Sequence, residues 1–83
     1  MLRGRERERQ ILNVRDINVG DRIEDEAGDY YIVLQITRRN VTLWDVHDKE
    51  KFDVPIDIVV DMSVRITPKY WSKKEVENAL YEK

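Results

Sequence analysis

Residues 28–54, GDYYIVLQITRRNVTLWDVHDKEKFDV, read as two consecutive hairpins and so decide the fold. In the first arm Tyr30, Ile32, Leu34 and Ile36 form an apolar row at a spacing of two, the period of a strand with one face turned to a core. Val41 and Leu43 form the matching row of the second arm. Both rows share a side only if Ile36 faces Val41 and Leu34 faces Leu43, because a slip of one residue turns every side chain over. That register predicts a four-residue loop, Thr37–Asn40. It should end on a left-handed Asn40, a conformation Asn tolerates better than any residue except Gly. The same rule sets the second hairpin. Phe52 and Val54 point inward, Leu43 opposes Val54, and His47–Glu50 is the polar connection.

The reverse face of this meander then carries Tyr31, Val33, Trp44 and Val46, ringed by Gln35, Thr42, Lys51 and Asp53. An antiparallel sheet with one solvated face is polar there, and this one is not. Something covers the patch. Tyr31, Val33, Trp44, Val46 and Asp53 are therefore the candidate partner-binding residues, and the C-terminal helix is the rival occupant of the same face.

Outward from the meander, residues 1–10 hold four arginines, Arg3, Arg5, Arg7 and Arg9, and almost nothing to bury. They read as a flexible basic arm, either a solubilising tail or a contact for nucleic acid or an acidic partner. Ile11, Leu12, Val14 and Ile17 are apolar enough to dock, and a barrel is expected over 11–67. Val19-Gly20-Asp21 is a turn into the first strand, with Val19 and Ile23 inward, and Ala27-Gly28-Asp29 is the next turn. After Val54, Pro55 ends a strand. Residues 55–61 suit one helical turn with Pro in its first turn. A last strand over 62–67 follows, with Val64 and Ile66 inward. In the segment 68–83, Ser72 and Glu75 have the spacing of a capping box. Trp71 can staple onto Val76, and Val76, Ala79 and Leu80 form one stripe of a helix packed on the barrel. Alone such a helix is marginal.

Eighty-three residues make one domain, able to bury roughly 60–65% of its unfolded surface. The net charge of −2 conceals a division: residues 1–15 carry +3, residues 16–66 carry −6 and residues 67–83 carry +1. Phosphate affinity would have to come from the arm, joined by Arg38 and Arg39 at the first hairpin tip. Without cysteine there is no disulfide, thiolate nucleophile or cysteine-built zinc site. His47 has no second imidazole beside it, and the acids Glu24, Asp25, Glu26 and Asp29 lack the spacing of a calcium loop. Neither a nucleophile–base pair nor a nucleotide fingerprint is present. No metal, cofactor or catalysis is expected. No apolar run approaches the ~20 residues of a membrane span and no signal-peptide pattern occurs, so a cytoplasmic protein is the expectation.

The order of these elements resembles the Tudor/KOW/chromo-type branch of the Src homology 3-like barrels. The likeness rests on the Val-Gly-Asp turn, a glycine turn into a long aromatic-rich strand, Val41-Thr42-Leu43-Trp44-Asp45, and the Val54-Pro55 turn before a last strand. It covers about residues 17–67. It implies a mainly β fold, a small barrel of about five strands with one C-terminal α-helix, that binds rather than catalyses. Ligands of such barrels include methylated side chains, peptides, RNA and DNA. Tyr30, Tyr31, Trp44 and Asp45 have the residue types of a methyl-cation cage, but the register above sets Tyr31 and Trp44 on the face opposite Tyr30 and Asp45. Asp45 has two readings, a cap on nearby backbone amides or a ligand contact. The expected function is thus an interaction module that binds a protein partner or self-associates. The alternatives are nucleic-acid binding through Arg3, Arg5, Arg7, Arg9, Arg38 and Arg39, or a structural role in a larger assembly.

Overall fold

The structure is a computed structural model that describes residues 17–81. The expectations for the arginine arm and for Ile11, Leu12 and Val14 lie outside the described residues. Five strands, β1 (Arg22–Asp25), β2 (Tyr30–Ile36), β3 (Asn40–Asp45), β4 (Glu50–Pro55) and β5 (Ser63–Thr67), form one antiparallel sheet in the order β4-β3-β2-β1-β5. The fold is mainly β. Strands β4 and β5 are the two edges, and the sheet is not closed by hydrogen bonds between them.

The seven-residue helix α1 (Ile56–Met62) links those edges and packs against β3, β4 and β5. Pro55, extended at φ −56° and ψ 144°, stands just before it, where a missing N–H costs nothing. Ser63 closes it, its hydroxyl donating to the Val59 carbonyl at 2.6 Å. The second helix, α2 (Lys73–Tyr81), opens on the expected capping box. The Ser72 amide donates to Glu75 Oε1 at 2.8 Å, and the Glu75 amide to Ser72 Oγ at 3.2 Å.

The register of β2 corrects the expectation. Ile36 does oppose Val41, but Gln35 opposes Thr42 and Val33 opposes Leu43, with a bulge at Leu34 between them. One extra residue on one strand reverses which side chains share a face. Tyr31 and Val33 therefore stand with Ile36, Val41 and Leu43 on the inner face, while Ile32 and Leu34 point to the other side. The apolar row Tyr30, Ile32, Leu34, Ile36 is not one face of the strand.

Two hydrophobic layers result. The inner one holds Ile17, Ile23, Val33, Val41, Leu43 and Val59, with Val54, Ile56 and Ile66 among those packed against it. The outer one holds Ile32 and Leu34 of β2 against Val76 and Ala79 of α2, flanked by Trp44, Trp71 and Leu80. Helix α2 thus lies on the face that carries Trp44. Its last turn is tied by Lys51, whose Nζ donates to the Leu80 carbonyl at 2.7 Å, a cation at the negative end of the helix.

Both hairpin tips also differ from expectation. Asn40 is not left-handed: among the described residues only Lys49 (φ 59°) and Lys69 (φ 53°) have a positive φ without being glycine. The Thr37 hydroxyl accepts from the Asn40 amide at 3.1 Å, and the Thr37 amide donates to the Asn40 carbonyl at 2.8 Å. Arg38 and Arg39 are left as the tip, and no left-handed residue is needed. In the second hairpin Leu43 opposes Phe52 and Val41 opposes Val54, two residues from the expected pairing. Asp45 pairs with Glu50, the loop is residues 46–49, and Lys49 takes the left-handed position. Val64, expected inward, is exposed, because the β1–β5 register shifts between Glu24 and Asp25. Val19 is also turned out, at 49% exposure.

One knot joins the two ends of the described chain. Gly20 donates to the Val33 carbonyl (2.8 Å) and accepts from the Trp71 amide (2.9 Å). The buried Asp21 carboxylate accepts from the Asn18 amide (2.9 Å) and the Lys69 amide (3.1 Å). Gly20 has φ +95°, and a Cβ there would lie 2.7 Å from the Trp71 carbonyl oxygen. Glycine is required on both counts.

Candidate functional site

The five residues expected to form one partner-binding patch are divided among four places. Val33 is fully buried in the inner core, a correction that follows from the bulge at Leu34. Tyr31 is half-buried on the same inner side. Trp44 is on the outer face and partly covered: it packs against the layer beneath α2, its ring 6.2 Å from that of Trp71 at 45°. Val46 is exposed in the second hairpin turn, its amide donating to the Tyr30 carbonyl at 3.2 Å. Asp53 is exposed on β4 and accepts from the Thr42 hydroxyl at 2.6 Å. Arg38 and Arg39 are exposed at their tip, while Arg3, Arg5, Arg7 and Arg9 lie outside the described residues.

A cage of Tyr30, Tyr31, Trp44 and Asp45 does not form. Tyr30 stacks on Arg22, whose guanidinium carbon is 4.3 Å from its ring centre and 4.6 Å from that of Tyr70. That cation–π sandwich occupies Tyr30 with a cation of the chain itself. Trp44 is engaged with Trp71. Of the four, Tyr31 and Asp45 remain together, directly opposite in the β2–β3 ladder.

What Tyr31 meets instead is Phe52. The two rings are perpendicular, at 82° with centroids 5.9 Å apart, the edge-to-face arrangement that aromatic quadrupoles favour. Phe52 shares the face of its partner Leu43, yet is 39% exposed because β4 is an edge strand with no neighbour beyond it. Two aspartates flank the pair, each organising a turn. Asp25 Oδ1 accepts from the amides of Ala27 (3.0 Å) and Asp29 (2.9 Å), and its Oδ2 accepts from the Tyr31 hydroxyl (3.2 Å). Asp45 Oδ1 accepts from the amides of His47 (2.9 Å) and Asp48 (3.0 Å), which is the backbone-capping reading of that residue.

The Tyr31 phenol registers the field of this end of the sheet. Burial, then the charge of Asp25 and its hydrogen bond, then Asp29 and Asp45 push its pKa up to about 12. Burial is the largest part of the shift, and the three aspartates add a negative field beside an exposed aromatic edge. Phe52 was not singled out by sequence reasoning. Its alternation with Val54 points inward, and only its place on an edge strand brings it to the surface. Arg22 was likewise missed, since nothing local links it to Tyr70. Among the described residues no group of three or more His, Cys, Asp and Glu is placed to hold a metal, and no helix is long and apolar enough to cross a membrane. The chain matches no family model, no curated protein and no solved structure.

Proposed function

We propose that this chain is a non-enzymatic interaction module that binds a cationic segment of a protein, from a partner or from a second copy, at the Tyr31–Phe52 end of the sheet. The observation that carries the reading is the exposed Phe52 edge beside a phenol whose pKa is raised by burial and, after it, by three aspartates. An arginine or lysine head set there gains the ring faces and the carboxylate field together. The leading segment of a second copy offers the same chemistry, since residues 1–15 carry +3 against −6 for residues 16–66. We read the open sheet as a small barrel of the Src homology 3-like kind, with α1 in place of direct β4–β5 pairing. The strand order and the position of that single short helix support it. The lack of cysteine suits a reducing cytoplasmic setting.

A synthetic peptide of residues 1–10, titrated against the protein, tests the reading. An incoming cation stabilises phenolate, so binding should lower the Tyr31 pKa, followed by its ultraviolet absorbance. Phe52→Ala should weaken binding by about 0.5–1 kcal/mol. An affinity indifferent to Phe52→Ala would remove this end of the sheet from the function. Tighter binding to an oligonucleotide than to the peptide, with a steep salt dependence lost on Arg38→Glu/Arg39→Glu, would give the function to nucleic acid instead.

A further inference from the structure

We propose a second binding site: the groove between the Val19-Gly20 turn and the start of α2 takes a short acidic segment of a protein partner that carries one bulky apolar side chain. This goes beyond the function proposed above and rests on different residues. The groove is open, encloses about 510 Å³, and is lined by Val19, Lys69, Trp71, Ser72, Lys73 and Val76. That volume suits a large side chain and its neighbours.

The shape is built in advance by the knot described above. One wall is the 18–20 turn and the other the segment 69–73, and both are tied through Gly20 and the buried Asp21 carboxylate. A groove whose walls are fixed before binding loses little entropy when it fills. Its base is apolar, formed by buried Val76 and half-buried Trp71, and its lip is Val19, an aliphatic side chain left half in water. Lys69 stands at the rim in a left-handed conformation that a lysine rarely adopts, its backbone amide donating a hydrogen bond to Asp21 Oδ1.

Charge selects the occupant. The ionisable residues lining the groove are Lys69 and Lys73, both exposed, on a module whose residues 16–66 carry −6. The attraction is assigned to these lysines; at the start of α2 the Ser72 and Glu75 amides are already engaged in the capping box. The chain's arginine-rich leading segment is repelled here for the same reason that it is attracted to the other end. An acidic peptide with a leucine or phenylalanine anchor satisfies both the apolar base and the cationic rim.

The probe is a blocked hexapeptide of glutamates around one leucine, with its lysine-for-glutamate counterpart as control. Amide chemical shifts of the full chain report the site. The acidic peptide should shift residues 18–20 and 69–76, and the basic one should not. Lys69→Glu/Lys73→Glu, two exposed positions, should weaken acidic-peptide binding by about tenfold or more. Val19→Ser should weaken it several-fold, and Lys74→Glu, outside the groove, should leave it unchanged. Phe52→Ala should also leave it unchanged, which separates this site from the Tyr31–Phe52 end. Undiminished affinity after the double charge reversal, shifts centred elsewhere, or displacement of the peptide by an oligonucleotide would overturn the proposal.

Discussion

The two faces of the sheet are built from unequal resources. The inner layer draws on β1 through Ile23, on β2 and β3 through Val33, Val41 and Leu43, and on α1 through Val59, so that distant parts of the chain meet there. The outer layer has four buried residues, two from β2 and two from α2, and its flanks Trp44, Trp71 and Leu80 are only partly covered. The inner layer is therefore the core of the whole fold. The outer one is a local attachment, held by a nine-residue helix that would not persist alone. A difference of that kind predicts that insults to the inner layer are global and insults to the outer layer graded.

The largest effect is expected at Leu43, fully buried at the centre of the inner layer. Leu43→Ala should cost about 2–5 kcal/mol by chemical denaturation and lower both layers together. Next comes Leu80→Asp, which sets a carboxylate against the outer layer. It should destabilise by about 1–3 kcal/mol and raise Trp44 exposure, read as quenching of its fluorescence in a Trp71→Phe background. An equal loss at both sites would erase the distinction between a core and an attachment.

Alkaline pH separates the faces without a change in volume. Below pH 10 the Tyr31 hydroxyl keeps its proton in the folded and the unfolded chain alike. Between pH 10 and about 12 the unfolded chain gives up that proton while the folded one retains it, so stability falls as pH rises through this window. Tyr31→Phe should remove this component of the alkaline loss, measured as melting temperature against pH. The smallest effect belongs to the helix start. Ser72→Ala removes one half of the capping box and should cost about 1 kcal/mol, concentrated in hydrogen exchange of α2.

Much of this architecture is legible in the residues, and what is not has a local cause. Ser72 and Glu75 announce the start of α2 and Pro55 the end of β4, and the capping one of the two readings of Asp45 holds, because each acts through neighbours in sequence. Leu34 defeats the same reasoning. From Tyr30 to Leu34 no charged or amide side chain marks which face is wet, for the strand is covered on both sides. Alternation then cannot reveal an inserted residue. The expected register and the tolerance of Asn for the left-handed region both point to Asn40. The Thr37 hydroxyl closes that loop instead, and Lys49 adopts the conformation where the second loop demands it. The candidate site was the least legible part. Phe52 is exposed because of strand order, and the groove joins residues about fifty positions apart, Val19 and Lys69 among them.

The division of β2 between two layers is the claim on which the rest depends, and contacts between methyl groups test it directly. In a nuclear Overhauser spectrum of the methyl-labelled protein, the Leu34 methyls should connect to Val76 and Ala79 of α2. Those of Val33 should connect to members of the inner layer such as Leu43 and Ile23. The reverse pattern, with Leu34 against the inner residues and Val33 beneath the helix, would mean a strand without the bulge. It would contradict both the register and the site built on it.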